Sequence, residues 1–394
     1  MSVAGPLRGD HNSAAGPPQS ARALGGKRSA APLRGDHNSA AGPSQRARPL
    51  GGKRSAAPLR GDHKNPHRAD SSRALWFVAQ GNAALRAEPL PAPGRGCSML
   101  RSLFSAISPG TERLVFAGEV PSAMRETMRV PYMGGDFGFP VKYGYSLVAR
   151  VEASDDAALE GQLVHLLHPH QDVLIAANED LFVVPPGIDE ACATLASNLE
   201  TAVNAVWDSG VTIGQSCLVV GFGIIGSLVA RLLSRIPGVT VAVADRDETK
   251  TVLATKLGFD AFAPGDVAGP FDLAFHASAS AEGLQLCIDR TGFEGRIIDA
   301  SWYGTREVHL ALGGSFHSER KRIISTQVSA IPPELVRRWT YRRRKSLVFD
   351  LLRDPVFARH ITQVITFAEL PAWYNGGGLT RPGLARVVDY RRPT

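Results

Sequence analysis

The most constraining feature of this 394-residue chain is a stretch in which an apolar run leads directly into three closely spaced glycines. Cys217-Leu-Val-Val runs into Gly221-Phe-Gly-Ile-Ile-Gly226, and a helical pattern from Ile224 to Ile236 begins inside this string. A second apolar run then ends at Asp245, 24 residues beyond Gly221. This pattern predicts a strand, a tight turn, a helix and a parallel strand.

Each glycine of the turn has its own physical purpose. Gly221 permits the tight turn, Gly223 lets the backbone approach a pyrophosphate, and Gly226 lets the helix pack closely on the strand. The N–H groups of Ile224 and Ile225 at the helix N-terminus are expected to bind phosphate. In this context the string predicts a Rossmann unit that binds a nicotinamide dinucleotide, and therefore an oxidoreductase.

The residues that end the second strand bear on the choice of cofactor. A carboxylate at Asp245 is placed to accept hydrogen bonds from an adenosine ribose and would repel a 2′-phosphate, which favours NAD. Arg246 directly follows it and could reach a 2′-phosphate, so NADP stays open.

The net charge of +7 comes from the first 72 residues, which contain 12 Lys or Arg and 4 Asp or Glu. The other 322 residues sum to −1, so the folded part offers no electrostatic footprint for nucleic acid. Pro6-Leu-Arg-Gly-Asp-His recurs at Pro32 and Pro58, a period of 26 residues without an aliphatic face. We expect residues 1–72 to be a disordered repeat tail.

The remaining sequence points to a cytoplasmic protein. The cysteines show no metal or disulfide spacing, which fits a reducing compartment. The longest apolar stretch, Leu218 to Ala230, is too short to cross a bilayer, so no membrane partner is expected. We expect a small-molecule substrate and a homodimer as the oligomeric state.

Pattern changes along the chain predict two folded units. Short apolar runs with Gly and Pro punctuation from Ala74 to about Pro186 predict a barrel-like β domain. A helix from Glu190 to Asp208 then precedes the Rossmann unit, and further strands are expected at 271–276, 295–301 and 322–326. The predicted boundaries are 73–187 with 331–394 for the β domain and 188–330 for the doubly wound sheet.

A β domain before a Rossmann unit, together with Ser105-Ala-Ile-Ser-Pro-Gly-Thr-Glu112, resembles the medium-chain dehydrogenase/reductase superfamily of alcohol dehydrogenase-like enzymes. The resemblance covers residues 74–394 and implies an α/β fold with an N-terminal GroES-like β-barrel domain. Within that superfamily the string is similar to bacteriochlorophyllide hydroxyethyl dehydrogenases. The strings His168-Pro-His170-Gln and Ser301-Trp-Tyr-Gly304 resemble related bacterial enzymes.

The resemblance also implies where zinc-dependent relatives hold their metal. The three ligand positions correspond to Ser108, Tyr145 of Gly144-Tyr145-Ser146, and a position around Ser197-Asn198. Two hydroxyls and a phenol replace the thiolates and imidazoles that zinc prefers, so we expect no zinc.

Without a metal, another group must polarise the reacting oxygen and exchange a proton. Tyr145 is the first candidate, His168 and His170 are further candidates, and Thr111 matches the proton-relay hydroxyl of zinc relatives. Thr201 matches a position that usually contacts the nicotinamide end. Each of these side chains could instead have a purely structural role.

A basic run from Arg337 to Lys345 is interpreted as a solvated helix. Its spacing places Arg338, Arg342 and Lys345 on one exposed face, with Trp339 and leucines turned inward.

The function expected from these residues is zinc-independent hydride transfer between NAD(P) and a hydroxyl/carbonyl pair of a small molecule. Enoyl or quinone reduction, which zinc-free relatives also perform, is a second enzymatic interpretation. A nucleotide-binding sensor without catalysis is a third.

Overall fold

The computed structural model describes residues 71–392. The predicted repeats of the tail lie outside these residues, and only Ser71 and Ser72 of the tail are described, at the start of the first strand. Within the described part, no helix is long and apolar enough to cross a membrane.

The first part of the described chain is built mainly from strands, as the short apolar runs predict. Its elements are β1 (Ser71–Ala79), β2 (Asn82–Pro89), β3 (Cys97–Ile107), α1 (Pro109–Phe116), β4 (Gly134–Gly135), β5 (Val141–Lys142), β6 (Leu147–Ser154), β7 (Leu163–Leu166), β8 (Val173–Ala177) and β9 (Phe182–Val183).

Helices and strands then alternate, and the C-terminal elements follow. They are α2 (Glu190–Ala193), α3 (Ala196–Ser209), β10 (Ser216–Val220), α4 (Ile224–Leu233), β11 (Thr240–Ala244), α5 (Glu248–Lys256), β12 (Asp260–Phe262), β13 (Phe271–His276), α6 (Ala281–Arg290), β14 (Thr291–Asp299), α7 (Ser315–Ser318), β15 (Arg322–Ser325), α8 (Tyr341–Leu352), β16 (Ile361–Thr366), α9 (Leu370–Asn375) and β17 (Ala385–Asp389).

The alternating segment forms a parallel sheet in the order β12-β11-β10-β13-β14-β15. The chain winds in one direction from β10 to β12 and in the other from β13 to β15. The order therefore reverses between β10 and β13, and in such sheets ligands bind in the crevice at the carboxyl ends of those two strands.

The other large sheet has the order β16-β17-β3-β6-β7-β9, and β8 also pairs with β3. Strand β17 runs antiparallel to β3, so a C-terminal strand belongs to the same sheet as strands of the N-terminal β domain. Helix α8 instead packs on α3, and Val348 and Phe349 join the apolar cluster that surrounds the parallel sheet. The exact domain boundaries stay a prediction.

The helix expected from Glu190 to Asp208 is interrupted, because α2 ends at Ala193 and α3 begins at Ala196. At the interruption, Ser146 Oγ donates a hydrogen bond of 2.6 Å to the carbonyl oxygen of Thr194. This contact comes from the residue that precedes β6, far from the helix in sequence, which is why helical spacing alone does not indicate it.

The basic run is only partly solvated. Arg342 is exposed, but Arg344 and Lys345 are each 3% exposed, so the prediction of an exposed Lys345 is wrong. Glu200 of α3 faces both cations, with Arg344 Nε 3.3 Å from its Oε1 and Lys345 Nζ bound to its Oε2. Packing of α8 on α3 buries this face, and the carboxylate of Glu200 makes the burial tolerable.

Candidate active site

The glycine turn closes directly after β10. Gly221 has a φ of +97°, a conformation that favours glycine, and its N–H donates to Ala244 O at 2.8 Å. A Cβ at this position would lie 2.6 Å from the backbone nitrogen of Ser278. Gly221 is therefore required both by its dihedral angle and by the close approach of the chain that follows β13.

The other two glycines differ sharply in their surroundings. A Cβ on Gly226 would overlap the carbonyl oxygen of Gly221, so this glycine allows α4 to approach the strand. A Cβ on Gly223 would meet no described atom within 4 Å. Gly223 thus borders open space, where the Rossmann pattern expects the pyrophosphate.

The N-terminus of α4 faces the same space. Gly223 occupies the N-cap position without any side-chain cap, and α4 begins with Ile224 and Ile225. The first N–H groups of a helix have no partner within the helix, so an uncapped start presents donors and a positive dipole end to an anion. These groups fit the phosphates of a dinucleotide.

Asp245 is buried at the end of β11 and holds the turn in place. Its Oδ2 accepts the N–H of Phe222 at 2.7 Å, and its Oδ1 accepts the N–H of Asp247 at 2.9 Å. Lys250 Nζ lies 3.7 Å from Oδ2, while Arg246 is exposed to solvent. The carboxylate predicted to bind a sugar thus stands beside two cations rather than one.

Tyr145, Ser108 and Thr111, which the resemblance assigns to one site, lie together. The Tyr145 hydroxyl donates to Ser108 Oγ and is 3.3 Å from Thr111 Oγ1. Burial raises the pKa of Tyr145, and the hydrogen bonds to Ser108 and Thr111 only partly offset this. At neutral pH the phenol is therefore protonated and able to donate.

Ser197, at the predicted third ligand position, also contacts Tyr145, because its hydroxyl donates to the Tyr145 carbonyl oxygen at 3.0 Å. Thr201 lies one turn further along α3 and donates to Ser197 O at 3.3 Å. Helix α3 therefore connects the Tyr145 site to the parallel sheet.

The donor set at these three positions does not suit zinc. Ser108, Tyr145 and Ser197 offer neutral hydroxyls, and two of these hydroxyls are already committed as donors to protein oxygens. Between residues 71 and 392 there is no group of three or more His, Cys, Asp or Glu side chains arranged to hold a metal ion.

A buried network that sequence reasoning missed holds the start of α1. Glu112 is fully buried, and its Oε1 accepts the N–H of Ser108 at 2.7 Å. Its Oε2 accepts the Tyr374 hydroxyl and lies 3.2 Å from His170 Nε2. His170 Nδ1 in turn contacts Ser105 Oγ at 2.7 Å. Glu112 and His170 thus link the Ser108 backbone to Ser105 through buried polar contacts.

A sequence signal for Glu112 did exist. A serine at a helix N-cap followed by an acid in the first turn is typical of a capping box, in which the acid reaches back to the N-cap N–H. Here the acid stands one position later than in the usual box, at the fourth residue of the helix.

The structure places His168 apart from this network. Its Nδ1 is 2.9 Å from the carbonyl oxygen of Pro169, and its ring packs on Tyr132 with centroids 4.9 Å apart. Burial lowers the pKa of His168 to about 3. His168 is therefore neutral at physiological pH, and its predicted role as a proton carrier stays untested.

A short segment joins the two halves of the site. Trp302 follows β14 and packs in the same apolar cluster as Tyr145. Gly304 has a φ of +65°, and a Cβ there would lie 2.7 Å from the carbonyl oxygen of Glu119, just beyond α1. The chain thus crosses from the carboxyl edge of the parallel sheet to the Tyr145 side.

Solved structures of dehydrogenases share this architecture. A putative zinc-binding dehydrogenase from Sinorhizobium meliloti bound to NADP has a TM-score of 0.64 at 18% identity, over 82% of this chain and 100% of its own. L-idonate 5-dehydrogenase from Escherichia coli has a TM-score of 0.67 at 14% identity, over 81% and 98%. Acetophenone reductase from Geotrichum candidum in complex with NAD has a TM-score of 0.65 at 17% identity, over 82% and 98%.

This chain has the fold of these dehydrogenases. The prediction of a GroES-like domain joined to a Rossmann sheet is confirmed. No protein-family model matches the chain, and no curated protein matches it.

Proposed function

We propose that this protein is an NAD(P)-dependent oxidoreductase that works without zinc and interconverts a hydroxyl and a carbonyl group on a small molecule. The observation that carries the proposal is the presence, in one fold, of a dinucleotide turn and a partly buried, protonated tyrosine that contacts two further hydroxyls. The nicotinamide of the bound cofactor supplies or accepts the hydride.

The chain's own residues account for binding of the cofactor. Gly221 sets the turn, Gly223 leaves the space in front of it open, and the uncapped start of α4 offers N–H donors to phosphate. The bound NADP and NAD of two of the structural neighbours agree with this assignment.

Tyr145 is the proposed acid. It would hydrogen-bond the substrate oxygen and give up its proton as that oxygen gains negative charge. Ser108 and Thr111 are the hydroxyls in contact with it and can relay a proton from solvent back to the phenolate, while Glu112 holds the Ser108 backbone. The network holds the phenol in place before substrate arrives, and the hydroxyl proton, which goes to Ser108 in this structure, then has to turn to the substrate oxygen.

Zinc independence rests on the chemistry of the donors. A catalytic zinc takes about three ligands from thiolate, imidazole or carboxylate groups. The three positions here carry serine, tyrosine and serine, and the Ser197 hydroxyl points to a backbone carbonyl. On this basis we assign the chain to the zinc-lacking subtype.

The residues after β11 favour NAD over NADP. The carboxylate of Asp245 would repel a 2′-phosphate. Lys250 lies 3.7 Å from that carboxylate and Arg246 is exposed beside it, so a 2′-phosphate would also find two cations. We propose NAD as the preferred cofactor with measurable NADP binding.

The decisive experiment measures cofactor binding and turnover separately. Calorimetric titration of the full chain with NADH and NADPH tests the cofactor site, and absence of binding to both would refute the proposal. Cofactor oxidation with panels of aldehydes, ketones, enones and quinones then identifies the reaction. Turnover with enones or quinones alone would establish the reductase interpretation, and binding without turnover would establish a sensor.

Tyr145→Phe tests the acid. We expect turnover to fall by about two to four orders of magnitude, the usual contribution of a positioned acid, with NADH affinity unchanged. Tyr143→Phe is the matched control, because Tyr143 is buried with its ring centroid 6.2 Å from that of Tyr145 and packs in the apolar core. Equal activity of Tyr145→Phe and the wild type would exclude Tyr145 as the acid.

The proposed partners are a small-molecule substrate and a second copy of the chain. Size-exclusion chromatography with light scattering measures the oligomeric state directly. A monomer at working concentration would contradict the homodimer.

A further inference from the structure

A second polar cluster lies at the carboxyl edge of the parallel sheet. It consists of His276, Ser278, Asp299 and Tyr303, and we call it the His276 cluster. His276 is fully buried, with its Nδ1 2.9 Å from Asp299 Oδ1 and its Nε2 2.7 Å from Ser278 Oγ. The Tyr303 hydroxyl donates to Asp299 Oδ2 at 3.0 Å.

The cluster borders the glycine turn. His276 is the last residue of β13 and pairs with Val220, the last residue of β10. The next N–H, of Ala277, donates to Val220 O at 2.8 Å. The backbone of Ser278 then forms the wall against which Gly221 packs. The cluster therefore lies at the point where the strand order of the sheet reverses.

The contacts within the cluster show which atoms can donate and which can accept. Burial acts to raise the pKa of Asp299, but the hydrogen bond from His276 helps hold it below its usual range, so Asp299 is ionised. With His276 as the neutral Nδ1–H tautomer, Nδ1–H donates to Asp299 Oδ1 and Nε2 accepts from Ser278 Oγ. Ser280 Oγ already accepts the N–H of Gly283, which leaves its proton free for Ser278 Oγ at 3.1 Å.

Ser278 consequently offers an acceptor to the crevice. Its own proton is committed to His276, and it is exposed to solvent. A phosphate oxygen needs a donor and would gain nothing from this hydroxyl. A sugar hydroxyl, which can donate, is the matching group.

Nucleophilic catalysis by Ser278 is disfavoured even though serine, histidine and aspartate stand in order. In such a triad the histidine must hand the proton to a leaving group, so its ring has to reach the substrate. His276 is 0% exposed, and both ring nitrogens already have protein partners. The arrangement orients a hydroxyl and does not activate it.

The topology indicates which sugar is involved. Asp245, expected at the adenosine ribose, follows β11 on one side of β10. Ser278 follows β13 on the other side, across the point where the order reverses. A dinucleotide that spans this point brings its second ribose, the one attached to nicotinamide, to the Ser278 side.

We propose that Ser278 accepts a hydrogen bond from the nicotinamide-side ribose, and that His276 and Asp299 are positioning residues that hold its lone pair toward the crevice. This inference rests on the proposed cofactor site. It adds a specific sugar contact on the β13 side that the glycine pattern does not contain.

Two probes separate the two riboses. ADP-ribose carries both sugars, whereas ADP carries only the adenosine ribose. Calorimetry should show that Ser278→Ala weakens ADP-ribose by about 3- to 10-fold, the loss of one hydrogen bond, and leaves ADP unchanged. Ser234→Ala, at the far end of α4 with its hydroxyl on a backbone carbonyl, is the control and should change neither affinity.

A double-mutant cycle tests the positioning role. In His276→Asn the amide N–H can still donate to Asp299, but Ser278 loses its acceptor and can turn its proton outward. We expect His276→Asn to weaken ADP-ribose about as much as Ser278→Ala, and the double variant to lose no more than either one. Thermal melting of each variant checks that the fold is intact, and Ser278→Thr, which keeps the hydroxyl, should restore affinity.

The outcomes are distinguishable. If the wild type binds neither ADP nor ADP-ribose, both the proposed function and this inference fail. If the wild type binds both probes but Ser278→Ala binds ADP-ribose normally, or weakens both probes equally, only this inference fails. Losses that multiply in the double variant would likewise overturn the positioning role of His276.

Discussion

Gly223 and Gly226 belong to one turn, yet the structure assigns them opposite roles, and this difference makes a sharp prediction. Gly223 has a φ of −84°, which any residue can adopt, and its Cβ position is open. Gly223→Ala should therefore leave the fold intact and raise the free energy of unfolding by about 0.4–1 kcal/mol, because alanine restricts the unfolded chain. The added methyl would stand where the pyrophosphate is expected, so NADH affinity should fall about tenfold or more.

Gly226→Ala should do the reverse. Its Cβ would overlap the Gly221 carbonyl oxygen and lie 3.4 Å from Val219 Cγ1, and neither a backbone atom nor a buried strand residue can move aside freely. Overpacking of this kind costs about 1–3 kcal/mol. For the roughly 320 residues of the folded part that corresponds to a fall in Tm of about 1.5–4.5 °C. Any loss of NADH binding would follow from displacement of α4.

Both variants can be measured with the same two assays. Urea denaturation followed by circular dichroism gives the free energy of unfolding, and quenching of intrinsic fluorescence gives NADH affinity. Gly223→Asp adds a negative charge at the same place and should abolish binding while the protein still folds. A destabilised Gly223→Ala with normal NADH affinity would refute the assignment of roles, as would a Gly226→Ala that is as stable as the wild type.

Three further predictions concern the buried ionisable groups His168 and Glu200 and the two cations near Asp245. The folded-state pKa of His168, about 3, lies below the unfolded value near 6.5, so stability should be retained above pH 6.5 and decline as the pH falls toward 3. At pH 5 the loss should be about 2 kcal/mol, and urea titrations of His168→Asn at pH 7 and 5 should show a smaller decline. Glu200→Gln leaves two buried cations without their carboxylate and should cost about 3–5 kcal/mol, whereas Glu190→Gln, which removes two partly exposed ion pairs, should cost about 1 kcal/mol or less. Replacing Arg246 and Lys250 together by alanine should weaken NADPH several-fold more than NADH, and equal weakening would show that neither cation meets the 2′-phosphate.

The apolar runs and the glycines of the sequence were enough to predict the buried strands and the tight turn of the fold. The strand at 271–276 and the turn from Gly221 to Gly226 occur where they were expected, because apolar runs and glycines report directly on buried strands and tight turns. Strand β12 was not predicted, since Asp260–Phe262 is short and lies at the edge of the sheet. The burial of Lys345 also escaped, because only the approach of α8 to Glu200 determines it.

The candidate site shows the same division. Resemblance to a known superfamily brought Ser108, Thr111 and Tyr145 together before the structure did. It could not indicate that Glu112 ties Ser108 to Tyr374, since these residues are more than two hundred positions apart in sequence. Polar groups that are far apart in sequence become partners through tertiary packing, and the local spacing of residues does not indicate that packing.

The protonation state of Tyr145 determines whether it can assist carbonyl reduction or alcohol oxidation. Burial raises its pKa, so the phenol is an acid at neutral pH and becomes a base only in strongly alkaline solution. A carbonyl substrate needs a proton donor, whereas an alcohol substrate needs a base to take its proton. The rate of carbonyl reduction should therefore stay level with rising pH to about pH 10, the ordinary value for tyrosine, while alcohol oxidation should accelerate over the same range. Pre-steady-state rates of hydride transfer in both directions, measured from pH 6 to 10, test this. A reduction rate that falls with an apparent pKa near 7 would mean that another group donates the proton and that Tyr145 only fills space.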